Sequence, residues 1–263
     1  MSGDSILLVD AADGSVSALV RASGIMVEHA GLPVALIGGL AVTCRLATAH
    51  RPTQDVDMVT ETSADLIAGS RTTAQNLISA GVAQADPSAT STRLYVGSTK
   101  VELIETEHLE PGDSDDIEPE KALLFVLAHR WALESAESMT ISVVDTDVRS
   151  TVPVATPAAL VAMKLHSIQD RSEDRKRASD AWDIFRLLEA HNASGEISAA
   201  IIGGPKELAS VVTNAIDRVF RSEATRTRRW IQVYGEPLWA QRMTDEAVNI
   251  LATDLIDAIE MNR

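Results

Sequence analysis

Two short stretches of sequence decide the fold: VALIGG at residues 34–39 and RPTQDVDM at residues 51–58. The first joins an apolar run to a pair of glycines, which is typical of a buried strand that ends in a tight turn. In the second, Asp55 and Asp57 alternate with apolar residues, so both carboxylates are expected on one face of a strand. The pattern predicts a strand, a glycine turn, a short helix and a second strand.

These two stretches also indicate a site for a metal ion and a phosphate chain. Two neighbouring carboxylates repel each other unless a cation lies between them, and their hard oxygens suit Mg²⁺. Gly38 and Gly39 precede a helix, where backbone N–H groups can approach a phosphate. Glu102, inside a strand predicted over 99–105, is the candidate third carboxylate of a two-metal site. A single D-x-D pair is also typical of a solvated strand edge. The prediction therefore rests on the whole series in order: an apolar strand, Gly38-Gly39, a short helix, residues 51–57 and a later strand with an internal acid.

Composition and charge restrict the class of protein. The 263 residues are 45% hydrophobic but only 3% aromatic, which predicts a globular chain with an aliphatic core. A net charge of −15 argues against nucleic-acid binding by bulk positive charge, so any such contact would need a local basic patch or metal ions.

Cys44 is the single cysteine, which excludes an internal disulfide. Residues 1–6 lack a basic region before an apolar core, and no apolar run approaches the roughly 20 residues of a membrane helix. We expect a soluble, cytoplasmic protein.

The chain is expected to change character near residue 156, where Thr156 and Pro157 form a helix-start signal. Helices are predicted over 40–47, 63–80, 120–134, 157–170, 177–192, 205–222, 223–234 and 243–261. Strands are predicted over 34–37, 55–60, 93–96, 99–105, 140–144 and 148–154, and a loop over 108–119. We therefore expect an α/β (α+β) fold in which residues 1–155 form a small mixed sheet with flanking helices. Residues 156–263 are expected to form a helical domain that closes the active-site cleft.

These motifs resemble the nucleotidyltransferase superfamily that includes DNA polymerase β. In fuller form, residues 37–42 and 51–58 look like the AbiEii and MenT-type nucleotidyltransferase toxins, which are components of bacterial toxin–antitoxin or phage-defence systems. Lys164 with Arg171, followed by an Asp180-x-x-Asp183 spacing, is similar to the lysine helix and the later D-x-x-D helix of that family. The resemblance covers residues 33–190.

The resemblance implies that a nucleoside monophosphate passes from an NTP to an acceptor hydroxyl, with Mg²⁺ as cofactor and Mn²⁺ as an alternative. It implies catalytic roles for Asp55, Asp57, Glu102, Lys164 and Asp180, with Asp55, Asp57 and Glu102 as metal ligands, and nucleotide binding by Gly38, Gly39, Arg51, Thr53, Lys164 and Arg171. Glu102 stands where many members have aspartate, and its longer side chain leaves the second metal open.

The acceptor is the least determined part of the prediction. The resemblance favours an RNA, the 3′ end of tRNA, in a toxin that is paired with a cognate antitoxin. The net charge of −15 favours a small acceptor instead, as in aminoglycoside nucleotidyltransferases, which share a similar Gly-Gly and Asp-x-Asp arrangement. A catalytically inactive binding module of the same fold is the third alternative. No membrane partner is expected, and a monomer is favoured.

Two groups of charged residues also allow a purely structural interpretation. Lys164 and Arg171 form a helix-spaced basic pair, for which a solvated helix face is the structural alternative. Asp180 and Asp183 lie beside a basic segment, where ion pairing is the structural alternative. The arginine-rich stretch over 218–229, with Trp230 and Tyr234 nearby, is either an RNA-contact patch or a salt-bridged helix face.

Overall fold

The structure is a computed structural model that describes residues 4–48, 50–61, 69–88, 92–106, 120–234 and 243–262. The strands are β1 (Asp4–Leu8), β2 (Val34–Ile37), β3 (Asp55–Glu61), β4 (Gln84–Ala85), β5 (Arg93–Val96), β6 (Thr99–Thr106), β7 (Glu137–Val143) and β8 (Arg149–Val154). The helices are α1 (Ser15–His29), α2 (Gly38–Leu46), α3 (Gly69–Ser79), α4 (Glu120–Glu134), α5 (Pro157–Asp170), α6 (Asp174–His191), α7 (Glu196–Ile202), α8 (Leu208–Ile216), a π-helical segment (Asp217–Ser222), α9 (Ala224–Tyr234) and α10 (Asp245–Met261). The predicted loop over 108–119 and the start of the helix predicted over 63–80 lie outside the described residues.

The chain divides into two compact units, and the division crosses α4. The first unit is Met1–His108 with Ala132–Thr156, and the second is Leu109–Trp131 with Pro157–Arg263. The first unit holds the sheet, whereas the described part of the second consists of helices, so the expected mixed sheet with a helical C-terminal region is confirmed.

All eight described strands form one mixed sheet in the order β1-β7-β8-β2-β3-β6-β5-β4. β3 lies near the centre, antiparallel to β2 and parallel to β6. The hairpin of β5 and β6 turns across residues 97–98, as the sequence predicts. Because β3 has neighbours on both sides, its side chains occupy fixed positions relative to those of β2 and β6.

The alternation on β3 separates a buried face from a face that carries the acids. Val56, Met58 and Thr60 are fully buried, whereas Asp55 and Asp57 are partly exposed. The helices α1, α2 and α3 all contact β3. Period-two patterning therefore places both carboxylates on one side of the sheet, as predicted.

The helix α2 follows β2 without a loop, and Arg45 fixes its far end. All four residues of β2 are buried, and Gly38 is already the first residue of α2. The Arg45 side chain donates hydrogen bonds to the carbonyl oxygens of Val154 at 2.6 Å and Ala155 at 2.8 Å. It also forms an ion pair with Glu137 at 2.7 Å. These contacts tie α2 to β7 and β8, which holds its N-terminus in a defined place.

Several elements differ from the sequence prediction. The elements β1, β4, α1 and α7 were not predicted, and the helix expected over 205–222 is divided at residue 216 into α8 and the π-helical segment. The Thr227 hydroxyl donates a hydrogen bond to the Val219 carbonyl oxygen, so that oxygen has a partner outside the regular helix pattern. Among the helices of the described ranges, none is both long enough and apolar enough to cross a membrane.

A buried histidine in the second unit predicts a loss of stability in acid. His129 on α4 is only 4% exposed, and its Nδ1 donates a hydrogen bond to the Phe125 carbonyl oxygen at 2.8 Å. Burial lowers its pKa from 6.5 to about 4. As the pH falls from about 6.5 towards 4, the unfolded chain gains a proton that the folded chain does not, so stability decreases.

We expect His129 to lower the free energy of unfolding by about 2 kcal/mol between pH 7 and pH 5. Urea titrations at the two pH values check this, with His129→Gln as the comparison, because glutamine does not titrate. A His129 pKa near 6.5 in the folded protein, measured by NMR, would contradict the prediction.

Candidate active site

Three carboxylates share one face of the sheet at the junction of β3 and β6. In the parallel pairing of these strands, Asp55 lies opposite Lys100 and Asp57 lies opposite Glu102. Residues opposite each other in register point to the same side, so the face carries Asp55, Asp57 and Glu102 together. The structure thus brings the three predicted metal ligands onto one surface, with Glu102 on the neighbouring strand.

The Asp57 side chain lies directly against the α-carbon of Gly38. Gly38 has a φ of 70°, and a Cβ built on it would overlap the Asp57 carboxylate and lie 2.8 Å from the Asp57 Cβ. Glycine is therefore needed here both for its backbone conformation and for space. The contact places a carboxylate at the N-terminus of α2, where the helix dipole favours negative charge.

Gly39 makes a second close approach, to the segment that precedes β3. A Cβ on Gly39 would lie 2.8 Å from Thr53 Oγ1 and 3.2 Å from Arg51 Nη2. The N-cap residue Ile37 makes no side-chain hydrogen bond to α2. The first backbone N–H groups of a helix have no intrahelical partner. Arg51 and Thr53 thus lie beside the first turn of α2, and helix N-termini suit anions. Their role in nucleotide binding stays a prediction.

Two cations pair with the outer carboxylates. Lys100 Nζ lies 2.9 Å from Asp55 Oδ2, and Arg93 Nη2 lies 3.3 Å from Glu102 Oε1. The hydrogen bond to Asp55 raises the pKa of Lys100 above its usual value. Sequence reasoning missed both cations. The alternation along β6 puts Lys100 on the face of Glu102, but its contact with Asp55 depends on the parallel pairing with β3.

The two aspartates of β3 form a donor set that fits a metal ion whose coordination a substrate completes. Within the described ranges, no group of three His, Cys, Asp or Glu side chains is close enough to hold a metal ion. Mg²⁺ is commonly bound by one or two carboxylates and completes its coordination with substrate phosphates and water. Asp55 and Asp57 supply such a pair of hard oxygen ligands on one face.

In the second unit, a buried charge cluster joins α5 to α6. Lys164 Nζ lies 2.9 Å from Asp180 Oδ1 and 2.9 Å from Asp183 Oδ2, and both aspartates are fully buried. Arg171 Nε forms an ion pair with Asp180 Oδ2 at 3.1 Å. Two cations and two anions therefore balance, and we call these four residues the lysine–aspartate cluster. The ion-pairing interpretation of Asp180 and Asp183 is confirmed.

The predicted site residues thus fall into two sets, one in each unit. The first unit holds Gly38, Gly39, Arg51, Thr53, Asp55, Asp57 and Glu102, and the second holds Lys164, Arg171 and Asp180. The contacts above tie the members of each set together, through Gly38, Gly39 and the β3–β6 register in the first and through ion pairs in the second. Their catalytic and binding roles remain predictions.

Comparison with known proteins shows the family to which the chain belongs. The model of the family described as nucleotidyl transferase AbiEii toxin, type IV toxin–antitoxin system, matches residues 23–204. Among solved structures, an antigenic nucleotidyltransferase-like protein from Paracoccidioides brasiliensis is similar, with 18% identity and a TM-score of 0.49 over 83% of this chain and 93% of that chain. No curated protein matches the sequence. Because the matched region spans most of the chain and contains both sets of site residues, the chain belongs to the AbiEii family of nucleotidyltransferase toxins of type IV toxin–antitoxin systems.

Proposed function

We propose that this nucleotidyltransferase moves a nucleoside monophosphate from a magnesium-bound NTP to the 3′-terminal hydroxyl of a tRNA, and that it acts in this way as a toxin. The observation that carries the proposal is the contact between Gly38 and the Asp57 carboxylate at the start of α2. It puts the carboxylate that we propose as a metal ligand beside a helix N-terminus that suits phosphate, and nucleotidyl transfer needs both groups together.

In this proposal, different residues of the first unit bind the metal ion and the phosphates of the NTP. Asp55 and Asp57 would hold Mg²⁺ or Mn²⁺, which neutralises the triphosphate and the charge that develops during transfer. The backbone N–H groups at Gly38 and Gly39 would bind phosphate oxygens. Arg51, close to Gly39, would orient the same phosphates with its fork of donors.

Charge balance on the sheet face favours one metal ion over two. Lys100 already pairs with Asp55, and Arg93 already pairs with Glu102. Three carboxylates and two cations leave one net negative charge, which is small for two divalent ions. We therefore propose that Glu102 orients the acceptor hydroxyl as a base. Lys164, which the family resemblance assigns to the triphosphate, would offset charge on the leaving pyrophosphate.

The net charge of −15 favours a second candidate, a small acceptor such as an aminoglycoside. A polyanion such as tRNA approaches a negative protein more slowly and binds it less tightly. The choice between the two acceptors therefore depends on local positive charge or metal ions, and it can be tested directly.

The deciding experiment is a label-transfer assay. The purified protein is incubated with Mg²⁺, each α-labelled NTP in turn, and either total tRNA, periodate-oxidised tRNA or kanamycin. We expect label on intact tRNA alone, because oxidation destroys the 3′-terminal hydroxyls. Label on kanamycin alone would assign the small acceptor, and label on neither would exclude both acceptors.

Toxicity is tested separately, by inducing the chain in a bacterial host without its antitoxin partner. We expect growth to stop with the wild type and to continue with Asp57→Asn at equal protein level. Equal arrest by both proteins would mean that toxicity does not depend on nucleotidyl transfer.

A further inference from the structure

Four cationic side chains surround one small cavity in the second unit. The cavity lies between α5, α6, the π-helical segment and α9, close to the start of α4. Its lining includes Lys121, Arg177, Arg218, Arg226, Glu223 and Trp230, and we call it the basic pocket. The described lining holds four cations and one carboxylate, Glu223, while Asp170 pairs with Lys121 and Asp174 pairs with Arg226. The group as a whole therefore keeps one net positive charge in a chain whose net charge is −15. Such a local excess attracts anions, although the whole protein does not.

Trp230 orients two of the cations. The guanidinium carbons of Arg226 and Arg177 lie 4.7 Å and 5.8 Å from the centre of the Trp230 ring. The ring is almost fully buried, so it provides a fixed surface for both guanidinium groups. Two arginines that are held on one indole ring lose little side-chain freedom when an anion binds.

Polar contacts hold the other two cations in place. Arg218 Nη1 donates a hydrogen bond to Gln169 Oε1 at 3.0 Å, and Lys121 Nζ forms an ion pair with Asp170 at 2.8 Å. Gln169 itself lines the basic pocket. Each of these two cations therefore has a partner that holds its position. An incoming phosphate would compete with Asp170 for Lys121 and with Glu223 for Arg226.

The basic pocket also adjoins the lysine–aspartate cluster. Ile168, which lines the pocket, follows Lys164 by one turn of α5, about 6 Å along the helix axis. Arg177 donates a hydrogen bond to the Arg171 carbonyl oxygen, and the Arg171 side chain pairs with Asp180. An anion in the pocket would thus lie near the residues that the family resemblance assigns to catalysis.

The size of the cavity limits what it can hold. Its volume is about 170 Å³. Pockets for whole small-molecule ligands measure about 300–1,000 Å³, so the basic pocket suits a single phosphate group rather than a complete NTP. Arginine, lysine and an aromatic ring are also the side chains that bind the backbone of single-stranded nucleic acid.

We propose that the basic pocket binds a backbone phosphate of the RNA acceptor and so holds the tRNA for nucleotidyl transfer. The inference rests on the proposed function, because it names where the acceptor of that reaction is held. It also explains how an acidic chain binds RNA, since the contact is local and the remaining surface need not be positive. A free phosphate source, such as the NTP or pyrophosphate, has the same chemistry and is separated by the test.

The test measures the affinity for labelled, deacylated tRNA by fluorescence anisotropy without NTP, at several salt concentrations. For Arg218→Gln/Arg226→Gln we expect binding to weaken about tenfold and the slope of log K against log salt to fall by about 1 in magnitude. The matched control is Arg21→Gln/Lys206→Gln, which removes two positive charges at exposed positions outside the pocket and should change affinity less than twofold.

A variant that is expected to increase tRNA affinity distinguishes a loss of binding contacts from simple unfolding. Glu223→Gln removes the one carboxylate among the charged side chains of the lining, so it should tighten tRNA binding about threefold. A loss of structure cannot increase affinity. Unchanged or weaker binding by Glu223→Gln would overturn the proposal.

The last part of the experiment distinguishes a pocket that binds RNA from one that binds free phosphate compounds. The thermal stabilisation of the protein by magnesium and NTP, and competition by inorganic pyrophosphate, are compared in wild type and Arg218→Gln/Arg226→Gln. We expect both to be equal in the two proteins. Loss of NTP stabilisation in the variant would assign the pocket to the nucleotide and overturn an RNA site.

Failure of the basic pocket as an RNA site can be distinguished from failure of the proposed function. If the wild type labels tRNA and the double variant does so with the same KM for tRNA, the proposed function stands and the basic pocket is not its RNA site. If the wild type labels no tRNA, the proposed acceptor is wrong. The assignment of the basic pocket to RNA is then wrong too, unless Arg218→Gln/Arg226→Gln still weakens tRNA binding in a salt-dependent way.

Discussion

Asp57→Asn is expected to lower the rate of nucleotidyl transfer by a factor on the order of 1,000 or more, because it removes the charge of a proposed metal ligand on the β3 face. Asparagine keeps the shape of the side chain, so the contact with Gly38 remains and the free energy of unfolding should stay within about 1 kcal/mol of wild type. The rate is measured by label transfer, and Glu61→Gln, an exposed acid at the end of the same strand, is the matched control.

Gly38→Ala tests the same geometry while the carboxylate remains. The added Cβ would overlap the Asp57 side chain, so transfer should fall by a factor on the order of 100 or more although all the acids are present. Gly81→Ala is the control, because Gly81 has a similar φ of 73° but nothing within 4 Å of the added Cβ. Both variants share the cost of a left-handed backbone, about 1 kcal/mol, and only Gly38→Ala should lose activity. Equal activity of the two variants would mean that the placement of Asp57 does not limit the reaction.

The local part of this site could be predicted from sequence because its signals lie close together in the chain. An apolar run followed by Gly38-Gly39 fixes the strand-to-helix junction, and period-two alternation fixes the face on which Asp55 and Asp57 lie. The hairpin of β5 and β6 has a glycine turn between two strand-like runs. In each case short-range patterning was sufficient, and the structure agrees.

The remaining features depend on pairings between distant segments. β1 pairs with β7, more than 100 residues later in the sequence, and no local pattern shows that a short N-terminal segment will reach that edge of the sheet. The contact of Lys100 with Asp55 follows from the parallel register of β3 and β6, which alternation along one strand does not determine. α7 was missed because it has only seven residues, too few for a helical period to stand out.

The lysine–aspartate cluster marks a different limit of sequence reasoning. The spacing of Asp180 and Asp183 predicts that both lie on one helix face, but it does not say whether that face is solvated. The structure buries both acids, and burial changes the energetics, because a buried charge needs a partner. Lys164 is therefore held by two carboxylates rather than exposed on a solvated face.

Asp183→Asn is accordingly expected to lower the free energy of unfolding by about 3 kcal/mol, measured by urea titration, because it leaves the buried cluster with an unbalanced positive charge. Glu189→Gln on the same helix is the control. It breaks a partly exposed ion pair with Arg186 at 3.1 Å and should cost less than about 1 kcal/mol. Equal losses in the two variants would show that the cluster is not desolvated.

Variants at Lys164 and Asp183 distinguish an effect on stability from an effect on catalysis. Lys164→Met alone leaves an excess negative charge in the cluster, whereas Lys164→Met/Asp183→Asn restores neutrality with Arg171 and Asp180 still paired. The double variant should therefore be more stable than the sum of the single effects predicts, with a coupling free energy of about 2 kcal/mol. If the Lys164 charge acts on the triphosphate, the double variant regains stability but transfers no label. Recovery of both stability and transfer would mean that Lys164 serves the fold alone, and its predicted contact with phosphate would be wrong.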